Sequence, residues 1–176
     1  YVSAWNQALA EDATQLGLNA AAVAQSMGVG IEIDYEENRT PNTARLQAFI
    51  DAYRSVLPYD ASGANPAARL TIDLAAGDRW LIGLTVKATT DWLKTSQPVL
   101  DYANAMVPSR QPTASAATSN WQEHVDGKPQ YAPPIPPLAP AKFTGSVYIA
   151  EGSKPYPECV NYAKSLQSAT RSFAEG

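Results

Sequence analysis

Three acidic side chains alternate with apolar ones early in this chain, and they are the residues best suited to chemistry. Glu32, Asp34 and Glu36 occupy every second position. On a β-strand they would project from one face at steps of roughly 6–7 Å. Carboxylates this close resist joint ionisation, and enzymes use such groups to keep one carboxyl protonated beside an ionised neighbour. The spacing therefore favours acid–base chemistry.

Two other interpretations of the acidic row stay open. The row is also compatible with an ordinary amphipathic strand whose charged face lies in water. A third possibility is a site for a hard cation built from four carboxylates, since oxygen ligands suit calcium or magnesium. Those four carboxylates belong to Asp34, Glu36, Glu37 and Asp73. No loop has the regular spacing of a dedicated calcium site, so we expect neither a metal nor a cofactor.

Composition restricts the class of protein. The 176 residues are 45% hydrophobic, which is enough for a single domain over residues 1–176 with a real core. The net charge of −4 and the lack of a basic stripe argue against nucleic-acid binding. No apolar run is long enough to span a membrane. A single cysteine, Cys159, excludes an internal disulfide framework, and a catalytic triad would have to use the only histidine, His124.

The chain begins at Tyr1 without a basic and apolar leader. We therefore expect that a leader has been removed or that the chain belongs to a longer protein. We expect a secreted or extracellular location.

Hydrophobic periodicity predicts alternating helices and strands. Helices are expected at 4–26, 43–57, 80–94, 115–125 and 157–173. Strands are expected at 29–36, 70–76, 99–107 and 144–150. The proline-rich segment Lys128–Lys142 is expected to be extended and polyproline-like. This order predicts an α/β fold with a parallel sheet, as a doubly wound sheet or a β/α barrel. No glycine-rich phosphate loop follows a strand, and inward acidic positions favour the barrel.

Residues 29–36, Val-Gly-Ile-Glu-Ile-Asp-Tyr-Glu, resemble the Asp-Gly-x-Asp-x-Asp-x-Glu motif of family 18 glycoside hydrolases. That family contains chitinases and endo-β-N-acetylglucosaminidases. Residues 100–106, Leu-Asp-Tyr-Ala-Asn-Ala-Met, are similar to its sixth barrel strand. The resemblance implies an incomplete (β/α)8 TIM barrel that comprises about strands four to seven.

The resemblance also implies an activity: hydrolysis of β-linked glycans that contain N-acetylglucosamine, by a substrate-assisted retaining mechanism. Glu36 matches the proton donor, and Asp34 matches the residue that orients the substrate's acetamido group. The partner would be a polysaccharide or glycan. Further positions are expected to line the same cavity and contact substrate: Glu32, Asp73, Tyr102, Asn104, Met106 and Glu151.

Three positions depart from the family motif. Val29 and Glu32 stand where the family has aspartates, and Pro108 lies where a tyrosine often binds the acetamido oxygen. A catalytically inactive, carbohydrate-binding or structural relative of the same barrel is therefore the alternative function. Asp73 and Asp101 could each line the cavity, but for either of them a structural role, hydrogen-bonded near a strand end, is the commoner one. Trp80, Trp92 and Trp121 are either sugar-stacking platforms or, as is commoner, buried core residues.

Overall fold

The computed structural model describes residues 1–76, 79–94, 96–106 and 114–145. Within these ranges the helices and strands alternate along the chain. The α-helices are α1 (Val2–Met27), α2 (Thr43–Val56), α3 (Ile82–Lys87) and α4 (Ala114–Asp126). The strands are β1 (Ile31–Ile33), β2 (Leu70–Ala76), β3 (Arg79–Trp80), β4 (Ala103–Met106) and β5 (Phe143–Gly145). None of the helices in these ranges is long and apolar enough to cross a membrane.

Four of the strands form one parallel sheet in the order β1-β2-β4-β5. The expected α/β fold with parallel strands is thereby confirmed. The short strand β3 was not predicted: it pairs antiparallel with the end of β2, where Ala75 opposes Trp80. The helix expected at 80–94 accordingly begins only at Ile82, and it continues as a π-helix over Ala88–Trp92.

Helix α1 follows its alanine-rich sequence closely, and the prediction at 4–26 is confirmed. The helix is interrupted at Asp12, whose backbone is not helical. The Asp12 carboxylate accepts a hydrogen bond from the backbone N–H of Gln15 at 2.9 Å, which caps the second part of the helix. Gly28 ends the helix with a left-handed conformation at φ 66°.

Helix α2 confirms the prediction at 43–57 and carries the most regular apolar stripe of the chain. The side chain of Asn42 caps its first turn by accepting from the N–H of Arg45 at 3.1 Å. Its buried face packs on α1, where Gly17 lies directly against the backbone of Phe49. The absence of a side chain at Gly17 lets the two helices approach closely.

All four described α-helices pack on the same face of the sheet. Each helix contributes side chains to a single hydrophobic core, among them Leu9, Phe49, Leu84 and Trp121. The sheet contributes alternate strand positions to this core, among them Ile33, Leu70, Ile72, Ala103 and Phe143. On β2 the alternation holds only up to the register shift between Asp73 and Ala75. The other face of the sheet carries the polar side chains of the alternate strand positions. This division determines where the functional side chains lie.

Several predicted boundaries are wrong. The strand expected at 29–36 covers only Ile31–Ile33, and the strand expected at 99–107 begins at Ala103. The strand predicted at 144–150 begins at Phe143, and residues 146–150 lie outside the described part. The predicted helix at 157–173 also lies outside it, as does Cys159. The prediction at 115–125 is confirmed by α4.

The proline-rich segment does not form a continuous extended polyproline conformation. Lys128 and Ile135 pair as an antiparallel bridge, with reciprocal N–H···O hydrogen bonds of 2.9 and 3.1 Å. The chain therefore turns back on itself before it reaches a 3₁₀ turn at Pro140–Lys142. The side chains of Ile135 and Leu138 are buried, so apolar contacts hold this connection against the domain.

Candidate functional site

Strand register brings polar side chains from four strands onto one face of the sheet. Glu32 on β1 is paired with Thr71 on β2. Asp73 on β2 is paired with Asn104 on β4, which is paired in turn with Thr144 on β5. Paired residues of a parallel sheet point to the same face, and positions i and i+2 share that face. We call these five residues the polar row.

Hydrogen bonds connect the polar row from one edge strand to the other. The side-chain amide of Asn104 donates to Oε2 of Glu32 at 2.7 Å. The hydroxyl of Thr71 donates to the same oxygen at 3.3 Å. The hydroxyl of Thr144 donates to the amide oxygen of Asn104. Oε2 of Glu32 therefore accepts one hydrogen bond from β2 and one from β4.

Asp73 is the most buried carboxyl of the polar row, with 2% of its surface exposed. Its Oδ1 atom has no hydrogen-bond partner among the described residues. The pKa of Asp73 is raised to about 8, chiefly by burial and in the same direction by a hydrogen bond to Glu32 and by the charges of Glu32, Asp34 and Glu36. At neutral pH this carboxyl is therefore a neutral acid.

Asp34 and Glu36 lie just beyond the carboxyl end of β1. The alternation of the strand continues past its last residue, because Tyr35 is fully buried among the helices and contacts Trp5. Its hydroxyl also donates to the side chain of Asn6. Asp34 and Glu36 flank this anchor and are partly buried. Oδ1 of Asp34 is buried without a hydrogen-bond partner among the described residues.

Among the described residues, none of the ion pairs involves Glu32, Asp34 or Asp73. A buried carboxylate oxygen without a donor is unusual, since buried polar groups are nearly always hydrogen-bonded. The buried oxygens of Asp34 and Asp73 can therefore accept hydrogen bonds that the described protein groups do not supply. Such capacity is available for a ligand, a water molecule or a proton.

The residues expected to bind substrate are brought together only in part. Asn104 belongs to the polar row, and Met106 follows it by two positions toward the carboxyl end of β4. Tyr102 precedes Asn104 by two positions and lines a cavity of about 190 Å³ at the amino ends of the strands, together with Glu32 and Arg69. Tyr102 is thus on the side of the row away from Met106. Glu151 lies outside the described residues.

The three tryptophans considered as sugar platforms, Trp80, Trp92 and Trp121, are all buried. Trp92 also donates from its indole N–H to Gln47 at 2.6 Å. Burial leaves their rings no free face for a sugar, so they are core residues, the commoner of the two roles considered.

His124 is also a core residue. Its ring stacks on Trp80 at 4.0 Å and on Phe143 at 4.9 Å between centroids. Burial, with a smaller effect from the charge of Lys128, lowers the pKa of His124 to about 3. The only histidine of the chain is therefore a neutral packing group on the helix-covered face, remote from acid–base work.

Asp101 has the expected structural role. Its carboxylate forms an ion pair with Arg54 at 3.0 Å and accepts from the backbone N–H of Leu70 at 2.7 Å. Arg54 also donates to three backbone carbonyls, those of Leu57, Ala68 and Val99. This cluster fixes the start of β2 and the approach to β4, and it does not contact the polar row.

Two members of the polar row were missed by sequence analysis, Thr71 and Thr144. For Thr71 the available signal was strand parity, because it lies two positions from Asp73 on the same strand. Thr144 had no such signal, because β5 contains no other residue that was selected from the sequence. Across the parts of the chain that the structure describes, no three His, Cys, Asp or Glu side chains are placed to hold a metal ion. The cation site considered above therefore gains no support.

No protein-family model, characterised protein or solved structure compared with the chain matches it. The function must accordingly be argued from the geometry of the site.

Proposed function

We propose that the chain forms part of a (β/α)8 barrel and that the protein hydrolyses β-linked glycans containing N-acetylglucosamine, as family 18 glycoside hydrolases do. The barrel is supported by the one-sided arrangement of the described helices. A doubly wound sheet has helices on both faces, whereas a barrel has helices outside and side chains of the strands inside. In the barrel, the polar row lines the interior.

The observation that carries the proposed activity is the state of Asp34. Its buried Oδ1 lacks a donor among the described residues, and it follows the carboxyl end of a parallel strand. In β/α barrels the catalytic groups come from that end of the strands. A carboxylate with one unsatisfied oxygen at this place is suited to accept a hydrogen bond from the N–H of a substrate's acetamido group. A positive charge that develops on that group would also be stabilised there.

The proposed reaction has two steps. The acetamido oxygen of the substrate attacks the anomeric carbon while Glu36 gives its proton to the leaving glycosidic oxygen, and the glycosidic bond breaks. The resulting oxazolinium ion is stabilised by the carboxylate of Asp34. Glu36, now ionised, then removes a proton from water as that water attacks the anomeric carbon. The bond to the acetamido oxygen breaks, and the product keeps the original configuration.

The contacts of the polar row suggest different roles for the other positions. Both amide atoms of Asn104 already form hydrogen bonds, with Glu32 and Thr144. We therefore assign Asn104 and Glu32 to positioning the carboxyls, and leave substrate contact to residues nearer the carboxyl ends of the strands. Met106 is the described residue of the predicted set that best fits this second role.

The alternative is a carbohydrate-binding relative that lacks catalysis. The observation in its favour is Val29, which is 45% exposed where the family motif carries its first aspartate. The carboxyl of Asp73 in the polar row is nevertheless buried, and that of Asp34 just beyond β1 is partly buried, which favours the hydrolase.

A fluorogenic N,N′-diacetylchitobioside tests the proposal on the purified protein. We expect hydrolysis by the native protein, a loss of at least about 100-fold in kcat for Glu36→Gln, and a comparable loss for Asp34→Asn. Glu11→Gln, which removes an exposed carboxylate on α1, is the matched control and should retain full activity. Activity that survives Glu36→Gln would exclude this residue as the proton donor. Retention on chitin without hydrolysis would favour the binding relative.

A further inference from the structure

We infer that Asp73 and Glu32 share a single proton, with Asp73 as the neutral donor and Glu32 as the acceptor, and that this pair positions the carboxyls above it. The inference concerns residues that the family motif does not contain in this form, since Glu32 replaces an aspartate and Asp73 lies on the next strand. Its link to catalysis rests on the proposed function, whereas the shared proton does not.

The location of the proton follows from the surroundings of the two carboxyls. Glu32 is exposed and accepts from Asn104 and Thr71, so its negative charge is solvated on one side and hydrogen-bonded on the other. Asp73 is 2% exposed, and its Oδ1 has no donor among the described residues. Charging a buried carboxyl without donors is far costlier than charging an exposed one that has them. The proton therefore resides on Asp73.

The charged groups around Asp73 act in the same direction. Glu32 on β1 and the two carboxylates that follow this strand, Asp34 and Glu36, all disfavour a negative charge on Asp73. On the other side, β4 and β5 present the neutral side chains of Asn104 and Thr144. No described lysine, arginine or histidine forms an ion pair with Asp73.

The consequence is a fixed position for Glu32 and a reduced negative charge beneath Asp34. With Asp73 neutral, Glu32 accepts from three side chains on two strands, so its carboxylate is held against the sheet. Asp34 then faces a neutral acid on the adjacent strand rather than another carboxylate. When Asp73 ionises, this hydrogen bond is lost and repulsion appears in the row. The pair therefore holds the neighbouring carboxyls in position only below the pH at which Asp73 loses its proton.

Carboxyl ¹³C NMR on the protein labelled at aspartate Cγ measures the proton directly. We expect one resonance, absent from Asp73→Asn, to keep the shift of a protonated acid at pH 6 and to titrate with a midpoint of about 8. If Asp73→Asn does not fold, Asp73→Glu supplies the assignment. A shift typical of an ionised carboxylate at pH 6 would overturn the inference.

Thermal unfolding and kinetics provide two independent readouts. The raised pKa means that the folded state binds this proton more tightly than the unfolded state, so stability should fall as pH rises from about 4 toward 8. Asp73→Asn should lose that part of the decline, whereas Asp51→Asn, which removes an exposed carboxylate on α2, should keep it. An identical decline in Asp73→Asn would contradict the inference.

If the protein hydrolyses the chitobioside, the pH profile of kcat/KM should contain a step near pH 8 that Asp73→Asn lacks. A protein without hydrolase activity but with a protonated Asp73 at pH 6 would overturn the proposed function and leave the shared proton established. An active protein with an ionised Asp73 at pH 6 would overturn the shared proton and leave the proposed function standing.

Discussion

The side-chain amide of Asn104 on β4 passes over the intervening strand β2 to reach the carboxylate of Glu32 on β1, at 2.7 Å. The two residues are 72 positions apart in sequence, so the bond forms only when all three strands are in register. The amide also accepts from Thr144 on β5. Asn104 is thus the single residue that joins both edge strands of the described sheet through side chains.

Replacing Asn104 should therefore weaken the whole sheet. We expect Asn104→Ala to lower the free energy of unfolding by about 1–3 kcal/mol, because it leaves partners in Glu32 and Thr144 without their hydrogen bonds. Asn104→Asp should be worse, since it adds a carboxylate beside Glu32 and Asp73. Urea denaturation of the variants measures both effects.

Gln122→Ala is the matched control for Asn104→Ala. Gln122 also donates from a side-chain amide to a carboxylate, that of Asp126, but on the exposed surface of α4. The control should change stability by less than about 0.5 kcal/mol. Equal effects for Asn104→Ala and Gln122→Ala would show that the connection across the sheet adds nothing to stability.

Arg54 should be the most sensitive charged residue of the chain. Its guanidinium pairs with Asp101 and donates to three backbone carbonyls, and both partners of the ion pair are largely buried, at 10% and 15% side-chain exposure. Removing one partner of a buried pair leaves an uncompensated charge. We expect Arg54→Ala to destabilise by about 3–5 kcal/mol. Chemical denaturation measures the loss.

The comparison for Arg54 is an exposed ion pair. Lys87 and Asp91 pair on the surface of the α3 region, one turn apart. Lys87→Ala should lower stability by no more than about 1 kcal/mol, and raising the salt concentration should reduce that loss. A surface pair that proves as important as Arg54–Asp101 would refute the assigned structural role of the buried cluster.

The sequence correctly predicted those helices and strands whose local residue pattern agrees with how they pack in the fold. Helix α2 has an apolar stripe and a capping asparagine, and its observed end differs from the prediction by one residue. Strand β2 matches its prediction at both ends because it is central and bonded on both sides. Strand β1 is shorter than predicted: it is an edge strand of the described sheet, and Asp34, a poor strand former, comes where it ends.

For the candidate site, the sequence predicted which side chains share a face of their own strand, but not which residues of neighbouring strands lie opposite one another. Alternation placed Glu32 on one face of its strand together with Asp34 and Glu36, because side chains of a strand alternate with a period of two. Which residues of adjacent strands lie opposite one another depends on tertiary packing, so the roles of Thr71 and Thr144 could not be read from their own segments. The same holds for the stacking of His124 between Trp80 and Phe143.

Gly17 should not tolerate even a methyl group. A Cβ atom at this position would lie 2.3 Å from the carbonyl oxygen of Phe49 and 2.9 Å from the side chain of Ala52. Alanine has a higher helix propensity than glycine by about 1 kcal/mol, so propensity alone predicts that Gly17→Ala stabilises α1. We expect net destabilisation by about 1–3 kcal/mol, because α1 must move away from α2. Differential scanning calorimetry measures the sign.

Ala22→Gly tests the propensity term by itself. Ala22 is exposed on the same helix, so its replacement should destabilise by about 1 kcal/mol without any change in packing. If Gly17→Ala raised the melting temperature instead, that result would show that α1 and α2 do not approach as closely as Gly17 and Phe49 indicate.

His124 should make the fold sensitive to acid. Burial lowers its pKa to about 3 in the folded protein, below the ordinary value of 6.5 expected in the unfolded chain. The unfolded state therefore binds the proton more tightly, and stability should decrease as pH falls from about 6.5 toward 3. Phenylalanine keeps a flat aromatic ring between Trp80 and Phe143 but cannot take up a proton. We therefore expect His124→Phe to raise the melting temperature more at pH 4.5 than at pH 7.5.

The native protein offers a direct check of the same point, because its sequence contains one histidine and hence one imidazole Cε1–H signal in proton NMR. That signal should not titrate between pH 5 and 8 while the protein stays folded, and it should titrate near pH 6.5 in urea. A titration close to pH 6.5 in the folded protein would mean that the imidazole ring reaches solvent. The stack of Trp80, His124 and Phe143 could not then be a closed part of the hydrophobic core. A melting temperature that His124→Phe changes equally at both pH values would lead to the same conclusion.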